Sequence, residues 1–187
     1  SHEADGFVFG HEVLRILAEE CDGKNLALGP VEEGDYKQIG AGALAYKHVA
    51  VASSPIDVNL AKQLNILLGN LGVPADKVLI DPTTGALGYG LEYTYSVMER
   101  DRMAALTQED EKLQYPIVCN VGIEVWKTKE AKMSEADDPK LGSAKERGIL
   151  MECVTAMSLL LAGADILILR HPESVKQIKR MIKNLMG

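Results

Sequence analysis

A chain of 187 residues, 47% hydrophobic and 25% charged, can bury a sizeable core, so disorder is not expected and one globular domain over residues 1–187 is the simplest reading. A formal net charge of −7 and a sequence pI near 5.1 argue against sequence-independent binding to nucleic acid or to anionic membranes, which both need a positive field. Cys21, Cys119 and Cys153 are far apart, form no C-x-x-C pair and sit in apolar runs, so they read as reduced core thiols of a cytoplasmic protein and not as metal ligands.

In chain order the pattern alternates helix and strand. Gly6-Phe7-Val8-Phe9-Gly10 has no assignable element; Val13, Leu14, Leu17, Ala18 and Cys21 then share one helical face, stopped by Gly23. Asn25 to Leu28 reads as a short buried strand ending at Gly29-Pro30. A helical stretch around Tyr36, Ile39, Ala43 and Leu44 follows, weakened by about 1 kcal/mol at each of Gly40 and Gly42. Val49 to Ala52 is the next strand, ending in Ser53-Ser54. There Ser54 is placed to cap a helix, Pro55 suits its first turn, Asp57 takes the capping-box position, and Leu60, Leu64, Leu67, Leu68 and Leu71 form an apolar stripe closed by Gly72 and Pro74. His11 before the first helix and His48 before the second strand read as structural.

The strand Lys77 to Ile80 opens into the polar loop Asp81-Pro82-Thr83-Thr84-Gly85-Ala86-Leu87-Gly88-Tyr89-Gly90-Leu91-Glu92-Tyr93. Its glycines, hydroxyls, aspartate and tyrosine suit close backbone approach to a large or flat ligand. No Lys-Ser/Thr follows the glycines, and Leu91 and Tyr93 stand near the place of a final glycine, so neither phosphate-loop pattern applies. A helix from about Gly90 to Leu106 leads to a charged turn at Thr107 to Lys112. The strand Ile117-Val118-Cys119 then carries Asn120 at its end. Trp126 to Gly142 is a polar surface excursion, open to a partner, with Trp126 as a packing anchor. Leu150, Cys153, Val154, Met157 and Leu161 make an apolar helix ended by Gly163. The strand Asp165 to Leu169 runs into Arg170-His171-Pro172-Glu173, and a last helix turns Val175, Ile178, Met181, Ile182 and Leu185 inward. Lys176, Lys179, Arg180 and Lys183 form its solvated side. The longest apolar stretch, Met157 to Leu169, is interrupted by Gly163 and Asp165 and is too short to span a bilayer.

Five short strands with helix-sized connections demand a parallel α/β arrangement. An open doubly wound sheet fits this length, whereas a complete eight-fold barrel typically needs about 250 residues. Polar residues gather at strand C-terminal ends in either case: Ser53 and Ser54, Asp81 and Thr83, Asn120, Arg170 and His171. Each also has a plainer role. Asp81 before Pro82 can cap a turn, the loop glycines can serve the backbone alone, and His171 can cap the last helix with Glu173 at its positive end.

Gly29-Pro30-Val31-Glu32-Glu33-Gly34, Ser53 through Asn65, Asp81-Pro82-Thr83-Thr84-Gly85 through Gly90-Leu91-Glu92-Tyr93 to Arg100, and Leu169-Arg170-His171-Pro172 closely resemble the small (delta) subunit of the corrinoid iron–sulfur protein. That family belongs to the acetyl-CoA decarbonylase/synthase (CO dehydrogenase/acetyl-CoA synthase) system of the reductive acetyl-CoA, or Wood–Ljungdahl, pathway. The likeness covers nearly the whole chain after about residue 10.

The resemblance implies a TIM barrel that pairs with a large subunit carrying the iron–sulfur cluster and cobalamin. Against that pattern the chain reads as an N-terminally shortened form, the C-terminal five β/α units of the barrel, with an exposed edge that favours self-association. The implied function is that of a non-catalytic subunit. It would shield and position cobalamin during methyl transfer from a methyltetrahydrofolate-dependent methyltransferase to acetyl-CoA synthase, with the corrinoid held mainly by the partner and none bound by this chain alone. Asp81, Thr83, Thr84, Gly85, Gly88, Tyr89, Gly90, Asn120, Arg170 and His171 would line the corrinoid face. The alternative is a self-sufficient TIM-barrel pterin or corrinoid methyltransferase using Asp81 and Glu92.

Overall fold

The computed structural model describes residues 2–187, with side chains described at residue 10 and from residue 12 onward. Phe7, Val8, Phe9 and His11 therefore lie outside the residues described at side-chain level. The elements are α1 (His2–Glu20), β1 (Ala27–Val31), α2 (Tyr36–Ala45), β2 (Val49–Ser53), α3 (Val58–Leu71), β3 (Val78–Asp81), α4 (Leu91–Thr107), β4 (Val118–Cys119), α5 (Val121–Trp126), α6 (Lys129–Lys132), α7 (Ala144–Leu161), β5 (Ile166–Leu167) and α8 (Pro172–Met186). They form two compact units: Ser1–Pro82 with Asp101–Pro116, and Thr83–Arg100 with Ile117–Gly187. Among the described residues, no helix is long and apolar enough to cross a membrane.

The first unit is built on a parallel sheet in the order β1-β2-β3, with Ser53 beside Asp81 at its C-terminal edge. β1 continues through Gly29-Pro30 to Val31 with a register shift between Leu28 and Val31, whereas the sequence reading ends it at Gly29-Pro30. Gly29 is required there: a Cβ would stand 2.6 Å from Cβ of Val51 on the neighbouring strand. Val31, Ala50, Ala52 and Ile80 pack with Ala43 of α2 and Leu64 and Leu68 of α3 as the core. The N-cap of α3 is Asp57, which accepts from the Asn59 and Leu60 N–H groups, and not Ser54. Ile56 has φ +50°, so the chain cannot enter the helix before it. Ser54 is instead buried, with its N–H on the Asp81 carbonyl. Gly72 closes α3 in the left-handed conformation, as its position predicts. His48 is fully packed: Nδ1 accepts from Leu26 N–H, which leaves the proton on Nε2 for the Ala18 carbonyl at 2.9 Å. Of the five residues expected on the inner face of α1, only Ala18 is fully buried.

In the second unit β4 and β5 pair in parallel, Val118 with Ile166 and Cys119 with Leu167, and the ladder is extended by Gly122 N–H donating to the Ile168 carbonyl. α7 departs from the expected face. Leu150 and Leu161 are 59% and 69% exposed and Val154 is also exposed, while Ile149, Cys153, Ala156 and Leu159 point inward. The buried side also takes Arg147, Glu152 and Thr155, each with hydrogen-bond partners, so a count of apolar residues alone selects the wrong face. α8 similarly buries Ser174 and Ile178 and leaves Ile182 and Leu185 exposed. The excursion Trp126 to Gly142 folds into α6 and a 3-10 turn at Pro139–Leu141. Arg147 clamps it, donating to the carbonyls of Glu130 (2.7 Å), Gly142 (3.2 Å) and Met133.

Candidate functional site

The loop after β3 closes on itself inside the second unit. Thr94, buried on the first turn of α4, accepts from Gly85 N–H at 2.7 Å through its hydroxyl oxygen and donates to the Thr83 carbonyl at 2.9 Å. The Ala86 carbonyl accepts from the N–H groups of Tyr89 and Leu91. Gly85 passes so close to Gly90 that a Cβ would fall 2.4 Å from the Gly90 carbonyl carbon, and Gly88 and Gly90 hold φ values of +77° and +90°. The glycines thus serve the loop's own backbone first. Leu87 N–H is anchored to the Thr155 hydroxyl of α7, and Tyr89 Oη donates to Glu130 of α6 at 2.7 Å. That bond holds the Glu130 carboxyl below its ordinary value and pushes the Tyr89 hydroxyl up.

Thr84 and Asn120 meet. The Asn120 N–H donates to the buried Thr84 hydroxyl at 2.9 Å, which ties the loop to the C-terminal end of β4, while the Asn120 side chain caps α5. Asp81 is in the first unit, where its carboxylate accepts from the Ser53 hydroxyl at 3.1 Å. Of the ten candidate residues, Thr83, Gly88, Tyr89 and Arg170 are at the surface or beside it, whereas Thr84 and Gly85 are turned into the loop.

Beyond β5 the residues Arg170 and His171 are held by a carboxylate that sequence reasoning missed. Glu152 on α7 is fully buried and accepts from both Arg170 N–H (2.5 Å) and His171 N–H (3.2 Å). Its visible signal was one acid inside the apolar run Ile149 to Val154. His171 caps α8, its Nδ1 accepting from Glu173 N–H, and its ring stacks on Trp126 at 5.9 Å between centroids. The Arg170 guanidinium lies over the same indole at 5.5 Å from the ring centroid. Trp126 also packs on Gly148, where a Cβ would reach its ring at 2.6 Å, so it is both anchor and platform. Among the described residues, no three His, Cys, Asp or Glu side chains are placed to hold a metal ion.

Residues 7–183 match the family described as CO dehydrogenase/acetyl-CoA synthase delta subunit. The chain belongs to that family. It is 38% identical over 181 residues to the acetyl-CoA decarbonylase/synthase complex subunit delta 2 of Methanosarcina acetivorans, covering 94% of this chain and 41% of the relative. Subunit delta of Methanopyrus kandleri is 41% identical over 168 residues, 89% of this chain and 41% of that protein. Subunit delta of Archaeoglobus fulgidus is 35% identical over 181 residues, 94% and 40% of the two chains. The delta-family chain described here thus spans about two fifths of the length of these relatives. All ten candidate residues fall inside the matched segment.

Proposed function

We propose that this chain is part of a corrinoid methyl carrier of the cytoplasm. With the large subunit that holds cobalamin, it shields and positions the corrinoid while a methyl group passes from methyltetrahydrofolate, through its methyltransferase, to acetyl-CoA synthase. The observation that carries this reading is the delta-family match across residues 7–183, which includes every polar residue at the ends of β3, β4 and β5.

The residues fit such a group at the outer rim of the loop. Gly88 has open space where a Cβ would stand, and Tyr89 is 49% exposed. Cobalamin, when bound, supplies the cobalt that takes up and releases the methyl group. Tyr89 Oη, which already donates to Glu130, keeps acceptor capacity for an amide N–H of the corrin fringe, and the Arg170 guanidinium can donate to its carbonyls. Thr84, Gly85, Asn120 and His171 act by holding those two elements in place.

The same reading takes residues 1–187 as one α/β domain whose strands are consecutive units of a TIM barrel. Strand order β1-β2-β3 follows the chain within the first unit, as consecutive units of such a barrel would.

Reconstitution with the purified large subunit and cobalamin tests the proposal. Tyr89→Ala and Arg170→Ala are expected to lower corrinoid retention and methyl transfer in the heterodimer several-fold. Unchanged values in both would overturn it, and turnover by this chain alone would favour an independent methyltransferase.

A further inference from the structure

A second feature of the same unit has its own chemistry. A cleft of about 490 Å³ opens at the C-terminal ends of β4 and β5, within the size range of small-molecule sites. Its cationic side chains are Lys127, Lys132 and Arg170, and no acid lines it among the described residues. Lys127 is engaged by Glu124 at 2.5 Å. Lys132 and Arg170 have no carboxylate partner among the described residues, in a chain whose net charge is −7. The remaining wall is apolar: Ile123 is 62% exposed, and Ile168, also exposed, stands beside Leu169 and Trp126.

The Trp126 side of the cleft is set before any ligand arrives. Trp126 is fixed by Gly148 on one element and His171 on another. The Arg170 backbone is held by its N–H bond to buried Glu152, and its guanidinium lies over the indole. Gly122 brings α5 against the Arg170 backbone, where a Cβ would meet its nitrogen at 2.8 Å. Two uncompensated cations beside exposed isoleucines and a rigid indole suit a ligand that joins an oxyanion to an apolar body, because the guanidinium keeps planar donors for such a group.

We infer that this cleft binds a small organic phosphate or carboxylate, and that this chain does so without a partner subunit. The inference goes beyond the corrinoid reading and does not depend on it.

Trp126 is the one tryptophan of the sequence and lines the cleft, so its emission reports occupancy directly. The probes are phenyl phosphate, benzoate, inorganic phosphate and phenol, titrated into the full chain. Phenyl phosphate or benzoate is expected to give a saturable change at lower concentration than either inorganic phosphate or phenol, and the tighter of the two identifies the oxyanion. Lys132→Ala and Arg170→Ala should each raise the midpoint about tenfold or more, since each removes a charge-assisted contact. Lys129→Ala, on the same helix outside the cleft, should not move it, and circular dichroism melts establish that each variant is folded. No saturable response to either organic anion, inorganic phosphate binding as tightly as both, or midpoints unchanged in the Lys132 and Arg170 variants would overturn the inference. Lys132 lies outside the residues assigned to the corrinoid, so loss of anion binding in Lys132→Ala with normal corrinoid retention separates this site from that reading.

Discussion

Replacing Glu152 by glutamine changes one atom of a fully buried side chain and tests what holds the end of β5. The carboxylate oxygens accept from Arg170 N–H and His171 N–H, one each. A glutamine can keep only one of these bonds, because its NH2 group meets the other N–H donor to donor. One backbone donor is then left buried without a partner, at a cost of about 1–3 kcal/mol, and the surviving bond loses its charge assistance, about 1 kcal/mol more. The expected destabilisation is about 2–4 kcal/mol, a large part of the stability of an ordinary domain. Urea unfolding followed by Trp126 emission reads it, since the indole stacks on His171. Amide exchange gives the local check: the Arg170 and His171 amides should lose protection in Glu152→Gln well before those of β2. A change below about 0.5 kcal/mol with both amides still protected would refute the assignment of Glu152 as the clamp of this corner.

Two further substitutions separate backbone need from open space in the loop. Gly85→Ala places a Cβ against the Gly90 carbonyl and the Leu91 nitrogen, so the loop must open; exchange of the Tyr89 and Leu91 amides should accelerate, and unchanged rates would contradict the packing. Gly88→Ala meets no atom within 4 Å and should cost only the left-handed conformation, about 1 kcal/mol in a thermal melt. The Tyr89–Glu130 bond predicts a pH response. Because Glu130 is held below its ordinary 4.5, the contribution of the bond is present above that pH and is lost as pH falls through the lowered value. A carbon-13 titration of the Glu130 carboxyl should therefore have its midpoint below 4.5, and Tyr89→Phe should move it upward; an unmoved midpoint would remove Tyr89 as the main cause.

The order of strands and helices was legible because period and punctuation agreed: the leucine run of α3 with Gly72 after it, and Val49 to Ala52 before Ser53. The polar ends of the strands were legible for the same reason. Hidden were the features set by tertiary partners. The α3 cap moved to Asp57 because Ile56 takes a positive φ, which no local preference announces for a β-branched residue. α7 presented Glu152, Thr155 and Arg147 inward because backbone donors and acceptors from distant segments were waiting for them, and Leu150 and Leu161 outward in consequence. A glycine-rich loop after β3 was legible, but its inner and outer members could not be told apart: Thr84 and Tyr89 both carry hydroxyls, and only the Asn120 contact and the exposure of Tyr89 divide them.

The central claim, that this chain shields a corrinoid held by another subunit, is tested most directly by the lifetime of reduced Co(I) cobalamin on the large subunit, followed by its absorbance after a fixed oxidant is added. Adding this chain is predicted to lengthen that lifetime several-fold, and the Tyr89→Ala, Arg170→Ala double variant to return it toward that of the large subunit alone. A lifetime that this chain leaves unchanged would contradict the claim.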